Sequence, residues 1–311
     1  MEQLLVKLQK EIFELTGGYI ATWLPDFSPL IGDYGVLARG RLLADGNLGD
    51  LGYVNIDYYT GVSSMENFKY SHDITIHAEA KLDASAQQLG GGFTVAFNSE
   101  GSFLYHFQNA KIHRIDNKGV FFKELAFKIM TGEIPWDDSY VIVDEVVVAE
   151  RSTILISKSR GGSVRIMSEK PSTGAVNFAD PALNLAFSTS KGTIFDYAGH
   201  SETRPLYHAV KPTIKPRGSV KGSRGPKPTG PSLGRLYEHA KKLVGGRELT
   251  PIEIDLRAET DDMVEASLNI DGRTARFLIS FENVTPEYVI EDNLGPEEVI
   301  IPVQKFLVFE E

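Results

Sequence analysis

Seven histidines are the first side chains to weigh as metal ligands or general bases, and none stands in His-Glu-x-x-His or a comparable ligand spacing. The best zinc set is the scatter His72, His77, His106 and His113, and His72 and His77 point to opposite faces of a strand because their separation is odd. No Gly-x-Ser-x-Gly occurs, and Ser99 and Ser102, on either side of Glu100-Gly101, fall in an expected hairpin turn. Gly90-Gly91-Gly92 lacks the following Gly-Lys-Ser/Thr of a phosphate loop and leads into a strand rather than a helix, so a bulge or hairpin end is expected there. Asp137-Asp138, Asp144-Glu145 and Asp261-Asp262 could divide acid and base roles if buried together. Neighbours on a strand face opposite ways, so each pair reads as two solvent-leaning carboxylates. Cysteine is absent, which removes disulfides, thiol nucleophiles and thiolate metal sites together and fits a reducing compartment. The chemistry therefore points away from an enzyme, and no cofactor or metal is expected.

The elements that carry these residues are mixed. Leu5, Leu8, Ile12 and Leu15 recur at helical spacing over Glu2 to Thr16, with Lys7 and Lys10 on the opposite face and Gly17-Gly18 as the stop. Residues 73–80 alternate Ile74, Ile76, Ala78 and Ala80 with Asp73, Thr75, His77 and Glu79, the pattern of a half-buried strand. Phe93, Val95 and Phe97 repeat that pattern after the triple glycine. A short helix is expected over 121–131, and the Val-rich block 140–149, residues 153–157 and residues 163–167 read as three strands in meander order. In the tail, 263–270 and 274–281 flank Asp271-Gly272, the dipeptide of a type I′ hairpin, and 299–309 reads as a last strand. The fold class expected is α+β: an N-terminal, mostly antiparallel sheet domain with few helices, and a smaller C-terminal α+β domain.

Charge marks where the chain divides. Of 311 residues, 1–210 hold 18 basic and 25 acidic groups, 211–250 hold 10 and 2, and 251–311 hold 4 and 15. The stretch 211–231 is rich in Pro, Gly, Ser and Lys, which reads as a basic linker between domains at 1–210 and 232–311. It lacks the interleaved aromatics of a nucleic-acid strip, and the whole chain is acidic at a formal charge of −10, so no nucleic-acid partner is expected. No run approaches the roughly 18 apolar residues of a membrane helix, and the N-terminus lacks the order of a signal peptide, so a cytoplasmic location is expected.

In element order the first 210 residues resemble the pore-forming domain of the gasdermins. The resemblance is carried by the leading helix with Lys7 and Lys10, the amphipathic strands around 71–81 and 91–98, the short helix Phe122–Met130, and the passage 136–150, in which Trp136 leads a Val-rich strand. A linker and a smaller domain follow in the family's order. The resemblance implies an autoinhibited effector of cell death or defence. A protease cuts the connection, and freed N-terminal parts self-oligomerise in anionic membranes by extending two β-hairpins each. It assigns lipid contact to Lys7 and Lys10, membrane insertion to Ile74, Ile76, Ala78, Phe93, Val95 and Phe97, and cleavage to the linker around Arg217, Lys221 and Arg224. The intact protein is then cytoplasmic and the activated one membrane-bound. The chain departs from bacterial members in lacking a lipidated cysteine, and from animal members in an α+β tail where theirs is helical.

Physics supplies a partial parallel, since a membrane β-strand needs roughly 9–11 residues of alternating character with all backbone groups paired. The same alternation describes a half-buried strand of a soluble sheet. The alternative function is therefore a soluble two-domain β-rich binding or assembly module, whose linker is only a spacer.

Overall fold

The structure is a computed structural model that describes residues 2–22, 28–38, 41–64, 68–82, 89–168, 186–191, 193–199, 202–216, 233–285, 287–288 and 309–310. Helix α1 (Glu2–Thr16) leads into β1 (Ile20–Ala21), β2 (Asp33–Ala38), β3 (Arg41–Asn47), the single turn α2 (Ile56–Tyr59) and β4 (Thr60–Ser64). Next come β5 (Phe68–His72), β6 (Ile74–Leu82), β7 (Leu89–Phe97), β8 (Phe103–Gln108), β9 (Lys111–Ile115) and α3 (Lys118–Met130). Strands β10 (Tyr140–Ala149), β11 (Arg151–Ser157), β12 (Ser163–Ser168), β13 (Ala186–Lys191), β14 (Thr193–Gly199) and β15 (Thr203–Pro216) follow. The tail holds α4 (Leu233–Leu243), a 3-10 turn (Pro251–Glu253), β16 (Ile254–Thr260), β17 (Met263–Ile270), β18 (Arg273–Asn283) and β19 (Phe309–Glu310). The expected class, α+β with mostly antiparallel sheet and few helices, is what the chain forms.

Helix α1 forms and stops as its pattern dictates. Leu8 and Ile12 are buried against Phe103, Tyr105 and Phe107 of β8. Gly17 and Gly18 take positive φ, and the Gly18 N–H donates to the Phe13 carbonyl at 2.9 Å, which satisfies a carbonyl left open by the helix end. Asp271 and Gly272 also take positive φ, the requirement of a type I′ hairpin, and β17 and β18 pair without slippage on either side.

The largest sheet runs β16-β17-β18-β15-β10-β2-β3, with β1, β4, β9 and β19 attached beside this path. It corrects the expected boundary at residue 211. Strand β15 continues unbroken to Pro216, with Val210 to Pro216 paired to Asn283 to Phe277 of β18, and Lys211, Thr213 and Ile214 are buried. Beyond Val210 no described strand pairs with the other side of β15, which is where a sheet tolerates Pro212 and Pro216. The Lys211 ammonium donates to the Tyr288 hydroxyl at 3.1 Å and lies over its ring, so a residue typical of a solvated tether is buried. Residues 217–232, with Arg217, Lys221 and Arg224, lie outside the described residues.

The tail also shares a core with the N-terminal part. Phe121, Phe122, Leu125, Ile129 and Met130 of α3 are buried with Leu233, Leu236 and Ala240 of α4 and Leu256, Val264, Ala266 and Phe277 of the tail strands. The rings of Phe122 and Phe281 stack at 3.9 Å. Leu236 is buried in this core, whereas Leu243 is exposed. Chain cut between 217 and 232 is therefore expected to stay together in the absence of lipid: size-exclusion chromatography of trypsin-nicked protein in lipid-free native buffer should give one peak holding both pieces, and denaturant should separate them. Two peaks in native buffer would contradict the shared core.

The three strands expected as a meander are β10, β11 and β12, and each lies in a different sheet. Two four-stranded sheets run β14-β11-β8-β5 and β13-β12-β7-β6. The chain passes between the two at Asp73, at 98–102 and at 158–162, so one lateral order runs through both. Asp73, Gly101 and Gly161 take positive φ there. The breaks lie at one level, because Asn98 N–H donates to the Asp73 carbonyl at 3.0 Å and Phe97 N–H to the Gly162 carbonyl at 2.9 Å. A single transverse crease thus separates a near sheet, under α1, from a far sheet. A register-based reading of one strand at a time cannot see such a crease, because it interrupts all the strands together.

Candidate functional site

Two sites emerge from this frame: the creased pair of hairpins and a buried ionic cluster beneath α1. In the far sheet, β6 and β7 pair in regular antiparallel register, with Ile74 opposite Phe97, Ile76 opposite Val95 and Ala78 opposite Phe93. All six residues expected in inserting strands therefore occupy matching rows of one hairpin. Val164 of β12 extends the second of those rows, opposite Val95, and Ile166 extends the third, opposite Phe93. Directly opposite residues share a face, so a continuous apolar face backs a polar one with Thr75 and His77 exposed.

The near end of that apolar face is covered. Val95, Phe97 and Val164 are fully buried with Leu104 and Leu155 of the near sheet, and Ile74 and Ile76 pack half-buried against them. The side chains of Ala78 and Phe93 lie outside the described residues. Gly90, Gly91 and Gly92 pair in regular register with Lys81, Ala80 and Glu79, so they form no bulge, and they lie at the loop end of the β6–β7 hairpin, next to its last described pair, Leu82 with Leu89. Ser99 and Ser102 belong to the crease, where the Ser102 hydroxyl donates to the Ser99 carbonyl at 2.8 Å. Lys10 is exposed and reaches Glu287 at 3.8 Å, while the side chain of Lys7 lies outside the described residues.

Among the described residues the structure does not gather the histidine scatter into one cluster. His72 and His77 are exposed on different sheets, His106 is buried in β8, and His113 lies on β9. Burial, with a smaller contribution from the Lys69 charge on the neighbouring strand, pushes His106 down to about 4. Asp137 accepts from the Ser139 backbone N–H at 2.8 Å, and Asp138 pairs with Arg235.

Asp144 and Glu145 overturn the expectation that neighbouring carboxylates diverge. The pairing of β10 with β15 slips between Val143 and Glu145, so Asp144 is the extra residue of a β-bulge. The bulge turns both carboxylates to one ammonium: Lys118 Nζ donates to Asp144 Oδ2 at 2.7 Å and to Glu145 Oε1 at 2.8 Å. His208 Nδ1 lies 2.6 Å from Asp144 Oδ1, and the Tyr19 hydroxyl donates to Glu145 Oε2 at 2.6 Å. Lys118 begins α3, Tyr19 follows α1, and His208 lies on β15, so the cluster ties three elements to the central strand. Gly18 backs the imidazole closely, since a Cβ there would stand 3.5 Å from His208 Cδ2.

Burial alone would raise the Asp144 carboxyl and lower the His208 imidazole. Their mutual attraction, aided by Lys118 at Asp144 and by Glu145 at His208, outweighs this, so Asp144 is held below the ordinary carboxylate range and His208 above the ordinary imidazole range. Burial and then the bond to Glu145 push the Tyr19 phenol up, which keeps it a neutral donor. Asp144, Glu145 and His208 bring three ligand-type atoms within 4.8 Å of one another, and the Lys118 ammonium already bonds both carboxylates. The signal for this cluster in the sequence was the adjacent acid pair alone; the bulge that unites it comes from pairing with a strand more than sixty residues away.

Among the described residues no helix is long and apolar enough to cross a membrane, which says nothing of strands. No protein-family model matches the chain, and no curated protein matches it.

Proposed function

We propose that the chain is a protease-activated, membrane pore-forming effector whose inserting elements are the two hairpin lengths 68–108 and 151–199. The observation that carries this reading is the crease: two long hairpins lie side by side in one lateral order, and each is broken at the same level. Straightening at that level would join β5 to β6 and β7 to β8 without changing a strand neighbour. Strands β6 and β7 have nine residues each, which at roughly 3.4 Å per residue approaches the 30 Å of a hydrocarbon core. The folded-back form keeps Val95, Phe97 and Val164 buried against the near sheet, which is how a soluble chain would store a membrane-facing surface.

In this reading a protease acts within 217–232, anionic lipid receives the α1 face bearing Lys7 and Lys10, and copies of the chain associate edge to edge. The shared core of α3, α4 and the tail strands favours the other reading, a soluble β-rich binding or assembly module in which 217–232 is a spacer. Dye release from anionic vesicles separates the two. Trypsin-nicked protein is expected to release dye while intact protein does not, and absence of release by both would leave the binding module.

A further inference from the structure

The polar face of the far sheet has a charge sign of its own. Across its strands, His77 stands opposite Thr94, Thr94 opposite Arg165, and Arg165 opposite Thr189, which makes one polar row. The next row toward the crease runs Thr75, Ala96, Ser163 and Lys191. On the other side Glu79 stands opposite Gly92 and Lys81 opposite Gly90. Over β6, β7, β12 and β13 the charged residues are therefore Lys81, Arg165 and Lys191 against Glu79, so these strands are net basic. The chain as a whole has formal charge −10. The apolar rows between them, led by Ile76, Val95 and Val164, contain no charge.

We infer that the open pore prefers anions, with Arg165 and Lys191 as the residues that set its selectivity. This rests on the pore reading above, in which the apolar face meets lipid and the polar face lines the channel. Every copy then contributes the same rows, so Arg165 repeats around the lumen as a basic ring at the level of His77, and Lys191 repeats one row nearer the crease. Rings of Arg and Lys favour anions because a permeating ion sheds part of its hydration beside fixed charge of the opposite sign. Glu79 lies farther from the crease than His77 and faces a glycine, so it adds one acidic ring toward the hairpin ends and leaves the rows at Arg165 and Lys191 basic. The substrate class is small anions, and larger acidic solutes where the lumen is wide enough.

The test is the reversal potential of trypsin-nicked full chain in an anionic planar bilayer under a potassium chloride gradient. The chloride-to-potassium permeability ratio is expected above one, falling below one in the double variant Arg165→Glu with Lys191→Glu. Arg165→Lys should keep the wild-type sign, and Lys191→Glu alone, on an edge strand, should lower the ratio even if Arg165→Glu disturbs folding. Conductance steps that favour potassium in the wild type, or a ratio unmoved by charge reversal, would overturn the assignment of the lumen while leaving pore formation standing. No conductance at all would overturn the pore reading and this inference with it.

Discussion

Asp144→Ala is expected to lower the free energy of unfolding by about 3–5 kcal/mol, the loss typical when one partner of a buried ion pair is removed. Asp144 is fully buried and accepts from both Lys118 and His208, so its removal strands the buried His208 imidazolium and leaves Lys118 with Glu145 alone. Glu145→Gln should cost less. Its carboxylate is partly exposed, an amide can still accept from Tyr19, and Asp144 remains for Lys118. Urea unfolding of the three proteins at mildly acidic pH measures the difference, and an Asp144→Ala loss no larger than that of an exposed pair, below about 1 kcal/mol, would sink the claim.

The pH dependence follows from the two shifts. Asp144 is held below its ordinary value near 3.8, so its contribution is present above that value and is lost as pH falls through the depressed folded value. His208 is held above its ordinary value near 6.5, so its contribution is complete below 6.5 and is lost as pH rises through the raised folded value. The gap between wild type and Asp144→Ala should therefore be widest between these two ordinary values and narrow on both sides. A gap that kept growing above neutrality would mean that His208 is not the imidazolium partner of Asp144.

The sequence makes local order legible and hides what depends on distant partners. The periodicity of α1, the alternation of Ile74 and Ile76, and the Asp271-Gly272 turn each report a backbone conformation set within a few residues, and each is found. Three misreadings have one cause. Lys211 to Pro216 read as linker because Pro and Lys are rare in central strands, yet this part of β15 has described pairing on one side only, and Tyr288 covers the lysine. Residues 140–167 read as a meander because the crease that sends β12 to another sheet is made jointly with residues 73 and 98–102. Asp144 and Glu145 read as divergent because the bulge exists only in the pairing with β15. In each case the local signal was present and its meaning was decided by register across the sheet.

The pair Ile76→Lys and Thr75→Lys tests whether the far sheet has a lipid face, because it puts one charge on either side of the same strand. Ile76 is half-buried against Val95, Phe97 and Val164, and Thr75 is exposed, with its hydroxyl 3.3 Å from the Asn98 amide. In the fold described above Ile76→Lys should lower the melting temperature, since its ammonium must leave an apolar contact, though the aliphatic stem can reach water and limit the loss. Thr75→Lys should barely move it. That much holds in a soluble module too, so melting alone decides nothing about membranes. Vesicle release does: at the bilayer midplane a lysine on the lipid face costs about 2–4 kcal/mol in each strand that carries it. A ring repeats that cost in every copy, so nicked Ile76→Lys should release no dye even where it remains folded. Nicked Thr75→Lys should release dye at the wild-type rate, because its lysine joins the polar row of Ser163 and Lys191. If both variants release dye alike while differing in melting temperature, this hairpin does not cross the bilayer, and the alternation at residues 74–80 serves only the contact with Leu104 and Leu155.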